Sequence, residues 1–342
     1  MSAPVRTGGA AASSPSGRFT SLVANTAVAA RFLPVWLATG VLMIVAAIIV
    51  PAALQHTNWA FVLPYMTILA IASLGQMLVI MQAGIDLSTP AVISFGGNLL
   101  VGVSVGHNDR LALGILVGIV RLNPLIVTLA VGQIVFAWNL RYAREVTNST
   151  AVPEALSSWA GEKWLGISSV FWAGAALTVA VALLLRYTAA GRRFQAVGAN
   201  PRAAWMAGLR VRTHVIFAYT AAGILYGCAA VLLAGIRINV DPQLGAAYLL
   251  APIAAVVIAG ASLSGGLASA TSTWVAALAL TFLTQLLVIK GLRPGMQFIV
   301  FGAAIIVGML ISGDRIASLL GRVLRPVEGR SDNNSGVEPN TS

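Results

Sequence analysis

Residues 191–214 read GRRFQAVGANPRAAWMAGLRVRTH. The stretch lies between two apolar runs, 168–187 and 215–236, each long enough to cross a membrane at roughly 20 residues per helical crossing. Within it Asn200 is a favoured N-cap, Pro201 fits a first helical position, and Gly208 suits a left-handed stop. The spacing predicts a helix of about two turns inside the loop 188–214, presenting Ala203, Ala204, Trp205, Met206 and Ala207, small or flat side chains suited to docking. Arg192, Arg193, Arg202, Arg210 and Arg212 keep the loop in water. A plain solvated connector would share these features, and the loop's own residues do not separate the two readings.

Composition sets the wider frame. Of 342 residues, 58% are hydrophobic and 9% charged, with a mean hydropathy of +0.87. Soluble domains carry about 25% charge, so the chain reads as an all-α, polytopic membrane protein. Apolar runs fall at 32–54, 59–82, 90–106, 111–120, 123–139, 168–187, 215–236, 244–262, 268–289 and 294–312. All are helical candidates, because an isolated strand leaves its backbone unsatisfied in lipid. The expectation is eight to ten crossings, ten if every run crosses. The weakest is 111–120, LALGILVGIV, which would rise only about 15 Å against about 30 Å of hydrocarbon.

The formal charge is +11, yet the basic residues flank apolar runs instead of forming one stripe, which is a topology signal and argues against nucleic acid as a partner. With the N-terminus in the cytoplasm, 14 of the 21 Lys and Arg face inward, including Arg186 and the five arginines of the loop. The bias predicts both termini cytoplasmic. Residues 1–31, Ala/Ser/Gly-rich and without a long apolar core, read as a disordered cytoplasmic tail, 32–313 as the membrane domain, and 314–342 as a second cytoplasmic tail. Cys228 stands alone in an apolar run and reads as a packing residue.

Three further stretches accompany the loop: GIDLS at 84–88, RLNPLIVTLAVGQIVFA at 121–137 and APIAAVVIAGASLSGG at 251–266. Together, in this order, they resemble the membrane-spanning permeases of bacterial ATP-binding-cassette importers of the ribose/xylose/galactose type, from about residue 32 to 313. The resemblance implies a monosaccharide permease of the bacterial cytoplasmic (inner) membrane. It makes GANPRAAWMAGL a cytoplasmic coupling helix, with Gly198, Asn200, Pro201, Ala203, Ala204, Met206 and Gly208 as the ATPase-coupling positions. It implies a separate ATP-binding-cassette ATPase that binds the ATP and Mg, a periplasmic or lipid-anchored sugar-binding protein, and a second permease chain. No cofactor is expected in this chain itself, which lacks a G-x-x-x-x-G-K-[ST] phosphate loop. The chain departs from the family's pattern at GHNDRLALGILVGIVRLNP, 106–124, which compresses a region where relatives usually place a fuller span.

Polar groups inside apolar runs are costly and are therefore site candidates. Asn98, Asn123, Thr128, Gln133, Gln285 and Gln297 are the expected substrate-pathway residues, since a sugar asks for neutral donors and acceptors; Asn139 adds to this capacity. Asp86 is the only acid in or at the edge of a run; with Ser88 it reads better as a helix cap or an arginine partner than as a sugar ligand. His56, His107 and His214 are scattered and suggest no metal site, and no nucleophile, base and orienter set marks an enzyme. The competing reading is an ion-coupled secondary transporter of a small polar solute. That class needs ionisable residues at mid-membrane, and the chain offers only Asp86, near an edge.

Overall fold

The run 56–81 is apolar on every side, and a helix with no polar face belongs in the interior of a bundle. The computed structural model, which describes residues 15–104, 125–146, 152–237, 241–292 and 294–311, places it there. Helix α2 (His56–Met81) is buried at every position from Met66 to Met81. Before it comes α1 (Pro15–Ile49) and after it α3 (Thr89–Ser104), α4 (Leu125–Val146) and a short α5 (Glu154–Gly161). The second half holds α6 (Ser169–Tyr187), α7 (Ala189–Ala199), α8 (Pro201–Met206), α9 (Val211–Ile236), α10 (Ala251–Ile258), α11 (Ala270–Ile289) and α12 (Pro294–Ile311). Between α5 and α6 a tight hairpin pairs β1 (Lys163–Trp164) with β2 (Ile167–Ser168), a small departure from the all-α expectation.

Helices α9 and α11 pack most extensively on α2, both antiparallel to it. Lipid is as apolar as leucine, so helices in a membrane associate through close packing and hydrogen bonds. Both occur here: Gly75 of α2 lies under the Tyr226 ring of α9, and the Tyr226 hydroxyl is hydrogen-bonded to the Gln76 side chain of α2 at 3.0 Å. Helix α6 runs parallel to α2, with Gly174 against Thr67.

Five described helices are long and apolar enough to cross a membrane, those ending at Ile49, Met81, Tyr187, Ile236 and Ile289. The expected run 244–262 is not one helix. It divides into a single 3-10 turn at Ala246–Tyr248, the eight-residue α10, and a non-helical stretch from Ala259. Eight residues rise only about 12 Å, so α10 enters the bundle without traversing it. Gly245 and Gly260 bracket the segment, and its irregular backbone is tolerated at this depth because it is buried among helices. The run 111–120 lies outside the described residues. At the N-terminus, α1 begins at Pro15, so that residues 15–31, expected as disordered tail, are helical; proline suits a first turn, and the Ala-rich stretch behind it is a good helix former.

Helices α3 and α4 run parallel: Gly132 lies beside Ser88, and further along Phe95 meets Tyr142 edge-to-face at 6.3 Å between centroids. The chain therefore starts both helices from the same end of the bundle. Topology reporters fused after Ser104 and after Leu125 are expected to score opposite sides of the membrane. Reporters on the same side would contradict the parallel pairing.

Candidate functional site

The six residues of α8 form an independent, fully capped unit. Asn200 takes extended backbone and its side chain accepts from the Ala203 N–H at 3.0 Å, a cap that contributes about 1 kcal/mol. At the other end Gly208 sits at φ +82°; its N–H donates to the Trp205 carbonyl at 2.9 Å, and the Leu209 N–H donates to the Ala204 carbonyl at 3.0 Å. These two bonds form a Schellman stop, which a glycine at this φ permits without strain. What the caps hold out is Trp205, 73% exposed, and Met206, 81% exposed, with Ala203 and Ala207 also in the open.

Two positions expected to face a partner do not. Ala204 is 5% exposed, buried against its own chain because the helix leans that face on the protein. Gly198 is buried in α7, where an added Cβ would lie 1.9 Å from the Met81 carbonyl oxygen. Its role is close backbone approach inside the molecule.

That approach joins three of the stretches noted in the sequence. The Met81 carbonyl at the end of α2, just ahead of GIDLS, accepts from the Gly266 N–H at 2.8 Å. The same turn of SLSGG presses Gly265 on the Gly198 carbonyl and Gly266 on Ala199. Gln82 adds a bond from Nε2 to the Phe194 carbonyl at 2.9 Å. Helix α7, and α8 with it, is thereby fixed to the central helix rather than suspended on a loop.

Beyond Met81 the chain is non-helical through 84–88, with Asp86 and Ser88 buried and Gly84, Ile85 and Leu87 half-buried. Asp86 is completely buried, and its Oδ1 accepts from the Ser88 N–H at 2.9 Å and the Ser88 hydroxyl at 2.6 Å. This is the helix-start role read from the sequence, ahead of α3. Gln76 of α2 does the rest: in the orientation that satisfies its neighbours, its amide donates to the Asp86 carbonyl and to Tyr226 and accepts from the Asp86 N–H, each at 3.0 Å. Neither Gln76 nor Tyr226 stands out in the sequence. A glutamine standing among the apolar residues near the end of the 26-residue run was the available signal.

At the opposite end of α2 a cavity of ≈ 270 Å³ opens among α2, α9, α11 and α12, and Gln285 and Gln297 both line it. Gln285 also donates from Nε2 to Asn58 Oδ1 at 3.0 Å. Thr281, Thr284, Tyr65, Tyr248 and Arg237, none expected from the sequence, complete its polar wall. Arg237 lies 5.8 Å over the Tyr65 ring. Hydroxyls, amides and aromatic faces around a pocket of this size suit a small polar solute.

The other candidates are not brought to this cavity. Gln133 lines a separate cavity of ≈ 430 Å³ beside α3 and α4. Asn98 is buried and donates to the Ser94 carbonyl of its own helix at 3.0 Å. Asn139, also buried, donates to the Pro242 carbonyl at 2.8 Å. Thr128 belongs to α4, and Asn123 lies outside the described residues.

Residues 58–310 match the family described as branched-chain amino acid transport system / permease component. Among curated proteins, the chain is 32% identical to a probable ABC transporter permease protein of Sinorhizobium fredii, over 77% of this chain and 83% of the relative. It is 31% identical to a fructose import permease of Rhizobium meliloti, over 73% and 76%, and 27% identical to the ribose import permease of Escherichia coli K12, over 80% and 91%. No solved structure matches the chain. With three-quarters of its length inside that match, the chain belongs to this family of membrane-embedded ABC transporter permease components.

Proposed function

We propose that the chain is the translocating subunit of an ATP-driven importer and that it passes a monosaccharide, pentose or hexose, by alternating access. One observation carries the reading: α2 connects the two candidate sites. Its Met81 end is locked to the α7–α8 unit that displays Trp205 and Met206, while Phe61, Val62, Tyr65 and Leu69 wall the cavity of Gln285 and Gln297. From Tyr65 to Met81 the rise is about 24 Å. A displacement of α8 by a docked ATPase would be carried along this rigid helix to the solute cavity.

The relatives named as fructose and ribose import permeases support the solute class. The partner ATPase supplies the ATP and Mg sites, a sugar-binding protein delivers solute to the cavity end, and a second permease chain completes the pathway. The α8 end faces the cytoplasm, with both termini on that side: it carries Arg186, Arg192, Arg193, Arg202, Arg210 and Arg212, against Arg141, Lys163, Arg237 and Lys290 toward the opposite end among the described residues.

In vesicles containing the chain, its ATPase and its binding protein, uptake of labelled ribose or fructose is expected to require ATP and to survive collapse of the ion gradients by ionophores. Uptake driven by a gradient without ATP would establish ion coupling instead. Replacing Gln285 and Gln297 together by Leu is expected to reduce that uptake at least about tenfold, because each removes a half-buried hydrogen-bonding group from the solute. ATPase association should be unchanged. Normal uptake by the double variant would remove this cavity from the pathway.

A further inference from the structure

We infer a binding site for an anionic phospholipid in the groove between α6, α7 and α9, a ligand class separate from the transported solute. A cavity of ≈ 490 Å³ opens there, walled by Leu184, Leu185, Phe194, Phe217 and Ile224 and floored by Leu78 of α2. Leu184, Phe217 and Ile224 are exposed, so the groove opens outward from the bundle instead of into its core. Along α9 the lining extends from Thr213 to Leu225. That is a rise of about 18 Å, close to the depth of one leaflet of a hydrocarbon core about 30 Å thick. Thr213, His214 and Thr220 are the polar members of its lining; the rest is apolar, offers water few partners and fits a hydrocarbon chain lying along the helices.

The three helices that wall the groove are basic at one end. Arg186 follows the lining residue Leu185, Arg193 precedes Phe194, and Arg212 precedes Thr213, so each helix carries an exposed arginine one residue from the lining, within reach of a headgroup at the mouth of the groove. From Lys163 to Val240 the chain contains no Asp or Glu. Nothing along this stretch opposes the arginines, and an anionic headgroup does. A guanidinium grips a phosphate oxygen pair through two parallel N–H bonds, and a headgroup with net negative charge leaves that attraction uncancelled. Orientation in the membrane requires only that basic residues lie on one side. It does not account for three arginines on the three helices that wall a single leaflet-deep apolar groove. The lipid would also buttress α7, the helix that carries α8, against α9.

The test uses the full chain purified in detergent and titrated with phosphatidylglycerol or phosphatidylcholine, with bound lipid counted by native mass spectrometry. Phosphatidylglycerol is expected to bind at least about tenfold more tightly, on the usual contribution of basic residues near an anionic lipid surface. Arg186→Gln, Arg193→Gln and Arg212→Gln combined should erase that preference. These side chains are exposed, so the fold should tolerate the changes. Ala221→Leu, which narrows the groove, should weaken both lipids, with the exposed Ile224→Trp as a second version if the first fails to fold. Equal binding of the two lipids, a preference that survives the triple change, or displacement of phosphatidylglycerol by an equal concentration of inorganic phosphate would each overturn the site. So would a disulfide between two copies through Ile224→Cys in a Cys228→Ala background, since the groove would then be a contact between protomers.

Discussion

Replacing Trp205 and Met206 together by Ser is expected to abolish co-purification of the ATPase and, with it, ATP-driven uptake, while the chain inserts and folds normally. The two side chains are the most exposed large apolar groups on the α8 unit, and none of the described residues covers them. A large aromatic and a flexible thioether at the centre of an interface are typical binding hot spots, worth about 2–4 kcal/mol each on truncation. Losing both weakens association at least about a thousandfold. The caps of α8 are backbone bonds plus the Asn200 side chain, so the substitutions leave the helix standing. Ala204→Glu, by contrast, does not isolate the docking step: Ala204 is buried in its own chain, and a glutamate there loses its hydration before any partner arrives. The readouts are pull-down of the ATPase and the melting temperature of the purified chain. Full association of the Ser double variant would make the loop a connector.

Gly198→Ala should be the more damaging change to the molecule itself. Helix propensity alone argues the other way, since Ala is favoured over Gly by about 1 kcal/mol inside a helix. The added methyl, however, would stand 1.9 Å from the Met81 carbonyl oxygen and 3.0 Å from the Gly266 nitrogen. Carbon and oxygen cannot approach that closely, so α7 must retreat from α2 and the 2.8 Å bond from Gly266 to Met81 is lost. Overpacking plus an unsatisfied buried pair costs on the order of 3–5 kcal/mol. Gly208→Ala is the internal control. It meets no atom within 4 Å and bears only the left-handed backbone penalty, about 1–2 kcal/mol. Thermal unfolding in detergent should place Gly198→Ala well below Gly208→Ala. The reverse order would show that the junction is loose.

Both glycines belong to one short stretch, and the sequence treated them alike. It was sufficient for what depends on nearest neighbours: Asn200 as cap, Pro201 as first residue, Gly208 as stop, and Asp86 with Ser88 as the start of α3 all stand as read, because capping is decided within three or four residues. It was sufficient too for the membrane class and the family, which rest on composition and on four motifs in order. Contacts between distant parts of the chain decided the rest. Ala204 and Trp205 are adjacent and both look like docking residues, yet one is buried and the other open, because only the packing of α8 on its neighbours selects a face. Gln285 and Gln297 share a cavity while Asn98 bonds its own helix, though all three are polar residues in oil. Gln76 reaches the backbone of Asp86, and Gly198 reaches Met81 across more than a hundred residues, only once the helices are assembled. A residue's local sequence fixes the conformation it can adopt. Which atoms it meets is set by the order and crossing of helices, which in a lipid environment is governed by close packing and hydrogen bonds and leaves little trace in hydrophobic periodicity.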